Sequence, residues 1–311
     1  MPDPHLTRNS SHLAPPGDLS LSVATGFEWC QGVLMLSAKR DQLRSLLQGY
    51  GSCLVAYSGG VDSVFLAKVA HEVLGDRALA AIADSPSLPR RELAEALELG
   101  KQFGFPVRVL NTAEFQNESY LANPNNRCYF CKFELFTALV PLAKAEGFHV
   151  IAYGENASDI GDHRPGAQAA SEFKIQAPLK EVGFTKAEIR ELSALMGLPT
   201  ADKPQLACLS SRIPYGESVT PEKLLMIERA EDHLRDRGFR DVRVRHHELK
   251  VGQLARIEVG RDELIRLLDA DCMEGIATAL SGIGYAHVTV DARGYRRGSM
   301  NEVSFKPRAA G

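Results

Sequence analysis

From residue 36 onward, short apolar runs alternate with longer stretches in which apolar residues return every three or four positions. Residues 36–49 place Leu43, Leu46 and Leu47 on one side of a helix. Cys53-Leu-Val-Ala-Tyr57 is apolar throughout, as a strand buried on both faces must be, and a helical pattern follows from Val61 to Leu74, where Gly75 stops it. The succession repeats. A strand at 77–82 leads to a helix ending at Gly100, and a strand at 107–110 is followed, after a polar stretch over 114–126, by a helix that runs to about Gly147. Residues 149–153 form a fourth strand. Strands alternating with helices predict an α/β fold, a parallel sheet with helices on both faces. Ligands of such sheets bind beyond the carboxyl ends of the strands, where Ser58, Asp84, Asn111 and Gly154 stand.

The second half reads differently. Residues 154–176 form a glycine- and charge-rich loop carrying Asn156, Asp159, Asp162 and Arg164, suited to closing over a nucleotide. Thr185-Lys-Ala-Glu188 is a capping box for a helix to Met196. After an irregular segment at 201–217, Thr220-Pro-Glu opens a long helix with Leu224, Ile227, Ala230 and Leu234 on one face, ended by Gly238. Strands at 242–245, 254–259 and 286–290, with a helix over 262–280, predict a smaller α+β unit with a mostly antiparallel sheet. Three segments follow: a disordered extension over 1–35, an α/β domain over 36–205 and an α+β domain over 206–311.

Composition narrows the function classes. The 311 residues are 44% hydrophobic and 24% charged, ordinary for a globular protein of two domains. A net charge of −3 offers no general attraction to nucleic acid or anionic lipid, so an anionic ligand must be captured by local arginines. No apolar stretch approaches the roughly 20 residues that span a bilayer. The first 35 residues lack a secretory layout, and the expected address is cytoplasmic, without membrane or nucleic-acid partners. Of six cysteines, Cys30, Cys53 and Cys272 sit singly among apolar residues and read as core. Cys128, Cys131 and Cys208 stand in a different context.

The chemistry concentrates first in Ser58-Gly-Gly-Val-Asp-Ser63. A glycine turn between a buried strand and a helix N-terminus aims unpaired N–H groups at one point and admits a phosphate to the backbone. Ser58 and Ser63 add hydroxyls, and Asp62 can help hold Mg²⁺. No Gly-Lys-Ser/Thr follows, so this is not a Walker loop. It resembles the pyrophosphate loop (PP-loop) of the ATP pyrophosphatases, which split ATP into AMP and pyrophosphate.

The likeness extends further. Ala83-Asp-Ser-Pro-Ser-Leu-Pro-Arg-Arg-Glu-Leu93, Asp159-Ile-Gly-Asp-His-Arg-Pro-Gly166, Lys203-Pro-Gln-Leu-Ala-Cys-Leu-Ser-Ser-Arg-Ile-Pro-Tyr-Gly216, Arg243-Val-Arg-His-His247 and Leu254-Ala-Arg-Ile-Glu-Val259 resemble the LarE family. These ATP-dependent sulfur transferases are pyridinium-3,5-bisthiocarboxylic acid mononucleotide synthases, which build the organic part of the nickel-pincer cofactor. The resemblance implies that Ser58, Gly59, Gly60, Val61, Asp62 and Ser63 hold ATP and Mg²⁺, with Asp84 and Ser85 near the adenosine. A carboxylate of a pyridinium mononucleotide would be adenylated, which supplies the leaving group it lacks. Ser211, Arg212, Arg243 and Arg245, with Glu231 and Asp262, match the family's neighbourhood for the substrate phosphate.

The family delivers sulfur by two routes. Either a cysteine matching Cys208 gives up its own sulfur, or three cysteines hold a [4Fe–4S] cluster with one iron open for sulfide. The Cys128-x-x-Cys131 pair beside Arg127 and Lys132, basic neighbours expected to favour thiolate, points to the cluster route and to an external sulfide donor. A three-cysteine zinc site and a Cys128–Cys131 disulfide are the plainer readings. An exposed ion-pair network is the plainer reading of the arginines, and His246 and His247 face opposite ways on a strand and read as structural. A tRNA-thiolating enzyme and a non-catalytic nucleotide-binding or iron–sulfur carrier module are the competing functions. The family's symmetric assemblies imply a homo-oligomer.

Overall fold

The computed structural model describes residues 19–159, 165–205 and 207–296, with side chains from residue 35. Along the first half run α1 (Leu19–Tyr50), β1 (Cys53–Tyr57), α2 (Val61–Leu74), β2 (Ala78–Asp84), α3 (Arg90–Phe103), β3 (Val107–Asn111), α4 (Glu118–Leu121), α5 (Arg127–Glu146) and β4 (Val150–Tyr153). Then come α6 (Pro165–Glu172), α7 (Pro178–Glu181), α8 (Lys186–Leu195), α9 (Pro221–Asp236), β5 (Arg243–Glu248), β6 (Gln253–Glu258), α10 (Leu264–Leu267), α11 (Ala270–Ile283) and β7 (His287–Val290). The first helix starts at Leu19 rather than at residue 36, so its backbone reaches into the segment that composition assigns to an extension.

The first four strands form one parallel sheet in the order β3-β2-β1-β4. All five residues of β1 are buried, and they alternate between two cores. Cys53, Val55 and Tyr57 pack with α1, α2, α3 and α8 through Leu43, Leu47, Phe65, Ala96 and Ile189. Leu54 and Ala56 pack on the other face with Phe136 and Leu139 of α5 and Ala169 of α6. An uninterrupted apolar run is what two covered faces require. After β3 the chain returns to the far edge of β1 as β4, and this reversal opens a crevice between the loops that leave β1 and β4.

The second sheet is mixed rather than mostly antiparallel: β5 pairs antiparallel with β6, and β6 pairs parallel with β7. The parallel pairing follows from α11, a crossover that carries the chain back alongside β6. The helix expected over 262–280 is interrupted, because Asp269 turns its carboxylate onto the N–H of Cys272 (3.1 Å) and starts α11 afresh. Its core joins Leu234 of α9, Val244, Ala255, Ile257, Ile276 and Leu280.

Candidate active site

β1 feeds directly into the glycine turn. Gly59 has φ +70°, and a Cβ there would lie 2.9 Å from the Cβ of Ala96, so the residue must be glycine on both counts. Ser63 ties the turn together: its Oγ accepts from the N–H of Ser58 at 3.1 Å and donates to the carbonyl of Gly60 at 3.0 Å. Gly60 occupies the N-cap of α2 without a side chain to cap it, and the N–H groups of the first turn have no carbonyl of their own helix to bond. Gly154, just past β4, closes on the same turn, where a Cβ would stand 2.9 Å from the Ser63 nitrogen. This arrangement can hold an oxyanion.

Asp62 faces across the crevice. It accepts from Asn156 Nδ2 at 3.2 Å and is ion-paired with Lys186 at the start of α8. Asp159 accepts from the Asn156 N–H at 3.2 Å, so both belong to one loop beside Asp62. Asp162 and Arg164 lie outside the described residues. At the end of β2, Asp84 pairs with Arg90, and Ser85 is buried against Ser87, Oγ to Oγ 2.8 Å.

Cys208 reaches this cleft because its loop is fastened twice. The Leu209 N–H donates to the carbonyl of Ser87 (2.8 Å), which anchors the loop to the turn after β2. Buried Arg127 donates to the carbonyl of Ser210 (3.0 Å) and to Asn123 Oδ1, and its Nη2 lies 4.0 Å from the Cys208 sulfur. Asn123 accepts a left-handed φ of +52° and donates to the carbonyl of Pro214 (2.7 Å). Cys128 and Cys131 stand three apart in the first turns of α5, hence on one face.

Cys128 and Cys131 are both perturbed. Burial, then Cys208 and Glu114, push the Cys131 thiol up to about 12. Cys128 is at the exposed rim, yet crowding around it and then Cys208 also raise it. Arg127 and Lys132 pull in the opposite direction and lose, so the basic neighbours do not by themselves secure the thiolate that the sequence leads one to expect. Both thiols are free, as are buried Cys53 and half-buried Cys272; the side chain of Cys30 lies outside the described residues. As thiolates, Cys128, Cys131 and Cys208 are a donor set of the right kind for a soft cation, whose charge would offset the cost of ionising Cys128 and Cys131. Among the described residues, no three Cys, His, Asp or Glu side chains converge to metal-ligand spacing.

The substrate-side residues divide. Glu231 is fully buried and accepts from Arg212 (2.8 and 2.9 Å), Arg235 (2.7 Å) and the Val244 N–H (3.0 Å). Burial would raise its carboxyl, but the Arg212 guanidinium, followed by Arg235 and Arg243, holds it at about 2. Arg212 also binds the carbonyls of Ala207 and Cys208 and the Ser211 hydroxyl, so the pair braces the cysteine loop. Arg243 and Arg245 both point from β5 toward that loop, as alternation predicts, but they do not form one clamp. Arg245 is engaged with Glu258 (2.8 Å) and the Ser211 carbonyl (3.0 Å), whereas Arg243 stacks 4.9 Å from the Tyr295 ring centroid and lines the cleft. Asp262 is exposed and away from the cleft lining. His246 is buried against Tyr285, and burial lowers it to about 4, in keeping with a structural role.

One cleft of ≈ 330 Å³ gathers what remains. Its wall includes Ser58 of the glycine turn, Ser85, Cys131, Cys208, Arg212 and Arg243, together with groups that sequence reasoning did not single out: Glu114, Lys203, Arg235 and Arg240. Arg235 was within reach of a sequence argument, being four residues beyond Glu231 on a helix. Glu114, in an irregular polar stretch, carried no such signal.

A parallel sheet with a glycine-turn anion site at its switch point, and cysteines opening into the same cleft, defines a nucleotide-dependent protein of the ATP-pyrophosphatase, PP-loop class. The comparisons agree with that class and go further. No family model matches the chain. It is 30% identical, over 88% of its length and 98% of the relative's, to the pyridinium-3,5-bisthiocarboxylic acid mononucleotide synthase of Lactiplantibacillus plantarum. It is 43% identical to an uncharacterized protein of Synechocystis sp., over 88% of this chain and all of the relative. One of the subunits of the glutamine-hydrolyzing GMP synthase of Thermoplasma volcanium is 26% identical over 63% of the chain and 67% of the relative. The chain belongs to the LarE family, the pyridinium-3,5-bisthiocarboxylic acid mononucleotide synthases.

Proposed function

We propose that this protein is an ATP-dependent, AMP- and pyrophosphate-forming sulfurtransferase. Its acceptor is pyridinium-3,5-biscarboxylic acid mononucleotide, one carboxylate of which becomes a thiocarboxylate in making the nickel-pincer cofactor. The observation that carries the reading is that Cys131 and Cys208 open into the same cleft as Ser58 of the glycine turn. The relative from Lactiplantibacillus plantarum supports the acceptor.

The chain's own groups suit adenylation. The Gly59–Ser63 backbone and the α2 N-terminus cradle the leaving pyrophosphate, stabilising charge as it develops. Asp62 is placed to help hold Mg²⁺ on the phosphates, exchanging its present partner Lys186 for the metal. Arg243, with Arg235 and Arg240 beside it, offers positive charge to the phosphate of the mononucleotide. Arg127 holds Cys208 toward the activated carbonyl.

Cys128, Cys131 and Cys208 would hold a [4Fe–4S] cluster, which when bound supplies an open iron site that carries sulfide. One observation favours a second route, in which Cys208 donates its own sulfur: Cys208 lines the cleft while Cys128 stays at its rim. Anaerobic purification with iron and acid-labile sulfide analysis separates the two. The cluster route predicts about four irons per chain, a brown protein, and loss of colour on replacing any of the three cysteines by alanine. A colourless, active preparation whose Cys208 has lost a sulfur after turnover would establish the sacrificial route instead.

A further inference from the structure

A carboxylate, a hydroxyl and an ammonium line the cleft near Cys131 with no side-chain hydrogen bond or ion pair among the described residues. Glu114, in the turn after β3, is 2% exposed, and its Oε2 takes no hydrogen bond among the described residues. Thr112 Oγ1, two residues earlier, is likewise buried and unbonded. Lys132 packs its stem where a Cβ on Gly166 would touch it (3.0 Å), and its Nζ lies 5.7 and 5.8 Å from the ring centroids of Phe136 and Tyr153. Among the described residues it pairs with no carboxylate, Glu114 included. All three residues belong to the cleft wall.

In the same wall Glu92 is paired with Lys203 and Arg212 with Glu231. A buried carboxylate left without a partner is costly, and folded chains retain such groups where a ligand completes them. A neutral donor would bond one lone pair and leave the charge uncompensated, whereas a fixed cation would neutralise it. A cation alone would leave Lys132 unmatched. The ligand that completes both is a zwitterion.

We propose that Glu114 and Lys132 form the acceptor subsite, Glu114 facing the permanently charged ring nitrogen of a pyridinium and Lys132 facing a carboxylate on the same ring, with Thr112 adding a hydroxyl donor. This rests on the functional reading above and makes Glu114 the residue that selects a charged ring over a neutral one.

The test is equilibrium binding to the full chain by calorimetry at neutral pH, using N-methylpyridinium-3,5-dicarboxylate and pyridine-3,5-dicarboxylate. The two probes carry the same carboxylates and differ in ring charge. The wild type is expected to prefer the charged ring at least tenfold, about 1.4 kcal/mol. Glu114→Gln should abolish the preference by weakening the charged ring alone, Glu114→Asp should keep part of it, and Lys132→Met should weaken both rings alike. Because Glu114 Oε2 has no hydrogen bond to lose among the described residues, Glu114→Gln should melt at or above the wild-type temperature. Equal binding of both rings by the wild type, no binding of the charged ring, or a Glu114→Gln variant that keeps the preference and melts lower would overturn the proposal. Pyrophosphate release from ATP with the mononucleotide is scored separately. Ring preference without release defeats the functional reading and leaves the subsite standing, and release without ring preference does the reverse.

Discussion

Replacing Glu231 by glutamine should damage the fold more than any surface charge change in this protein, and its effect should vanish in acid. The carboxylate is fully buried beneath Arg212, Arg235 and the Val244 N–H. A carboxyl held at about 2 rather than its ordinary 4.5 gains about 3 kcal/mol in its charged form. Removing one partner of a buried ion pair costs about 3–5 kcal/mol because the other charge is left uncompensated, so both routes give the same size of effect. In a protein of this size that lowers the melting temperature by roughly 5–8 °C. The folded-state value is depressed, so the stabilisation is complete above 4.5 and is lost as pH falls from there toward 2. Urea denaturation of wild type and Glu231→Gln at a series of pH values measures the difference directly. A gap of less than about 1 kcal/mol at neutral pH, or one that does not shrink below pH 4.5, would refute the reasoning.

Two further outcomes follow from the same geometry. In the metal-free, reduced protein, Cys131, raised to about 12 by burial and its neighbours, should react with iodoacetamide at pH 8 roughly a thousandfold more slowly than in the urea-unfolded chain; peptide mass spectrometry reads both, and equal rates would contradict the burial argument. Gly59→Ala strains a φ of +70° and drives a methyl group against Ala96, costing about 1–3 kcal/mol; it should weaken ATP binding by calorimetry while the variant remains folded.

Much of the α/β half was legible because both its periodicities were clean. β1 is apolar on both faces and is covered on both, and the Thr185–Glu188 capping box forms as its spacing predicts, with the Glu188 N–H donating to Thr185 Oγ1 at 3.3 Å. The glycine turn was legible for a different reason: Gly59 has no alternative residue at its conformation. The second sheet was less readable, since parallel and antiparallel strands of four to six residues carry the same alternation and only the crossover through α11 sets their direction. Pairing choices were not readable at all. Nothing in Arg243-Val-Arg245 tells which guanidinium Glu258 will take, because that partner lies on β6 and is brought close by strand register. The same holds for Arg127, whose grip on the Ser210 carbonyl spans 83 residues. Side chains that act through distant partners are decided by the tertiary fold, and local pattern is silent about them.

The central claim is that one cleft activates an acceptor with ATP and that sulfur then reaches it by way of the cysteines in the same cleft. It is tested most directly by following pyrophosphate and thiocarboxylate together, in anaerobic reactions with ATP, pyridinium-3,5-biscarboxylic acid mononucleotide and sulfide. Wild type should form both products. Alanine at Cys208 should leave acceptor-dependent pyrophosphate release in place and abolish the thiocarboxylate. Thiocarboxylate formation that survives without Cys208, or pyrophosphate release that ignores the acceptor, would contradict the account.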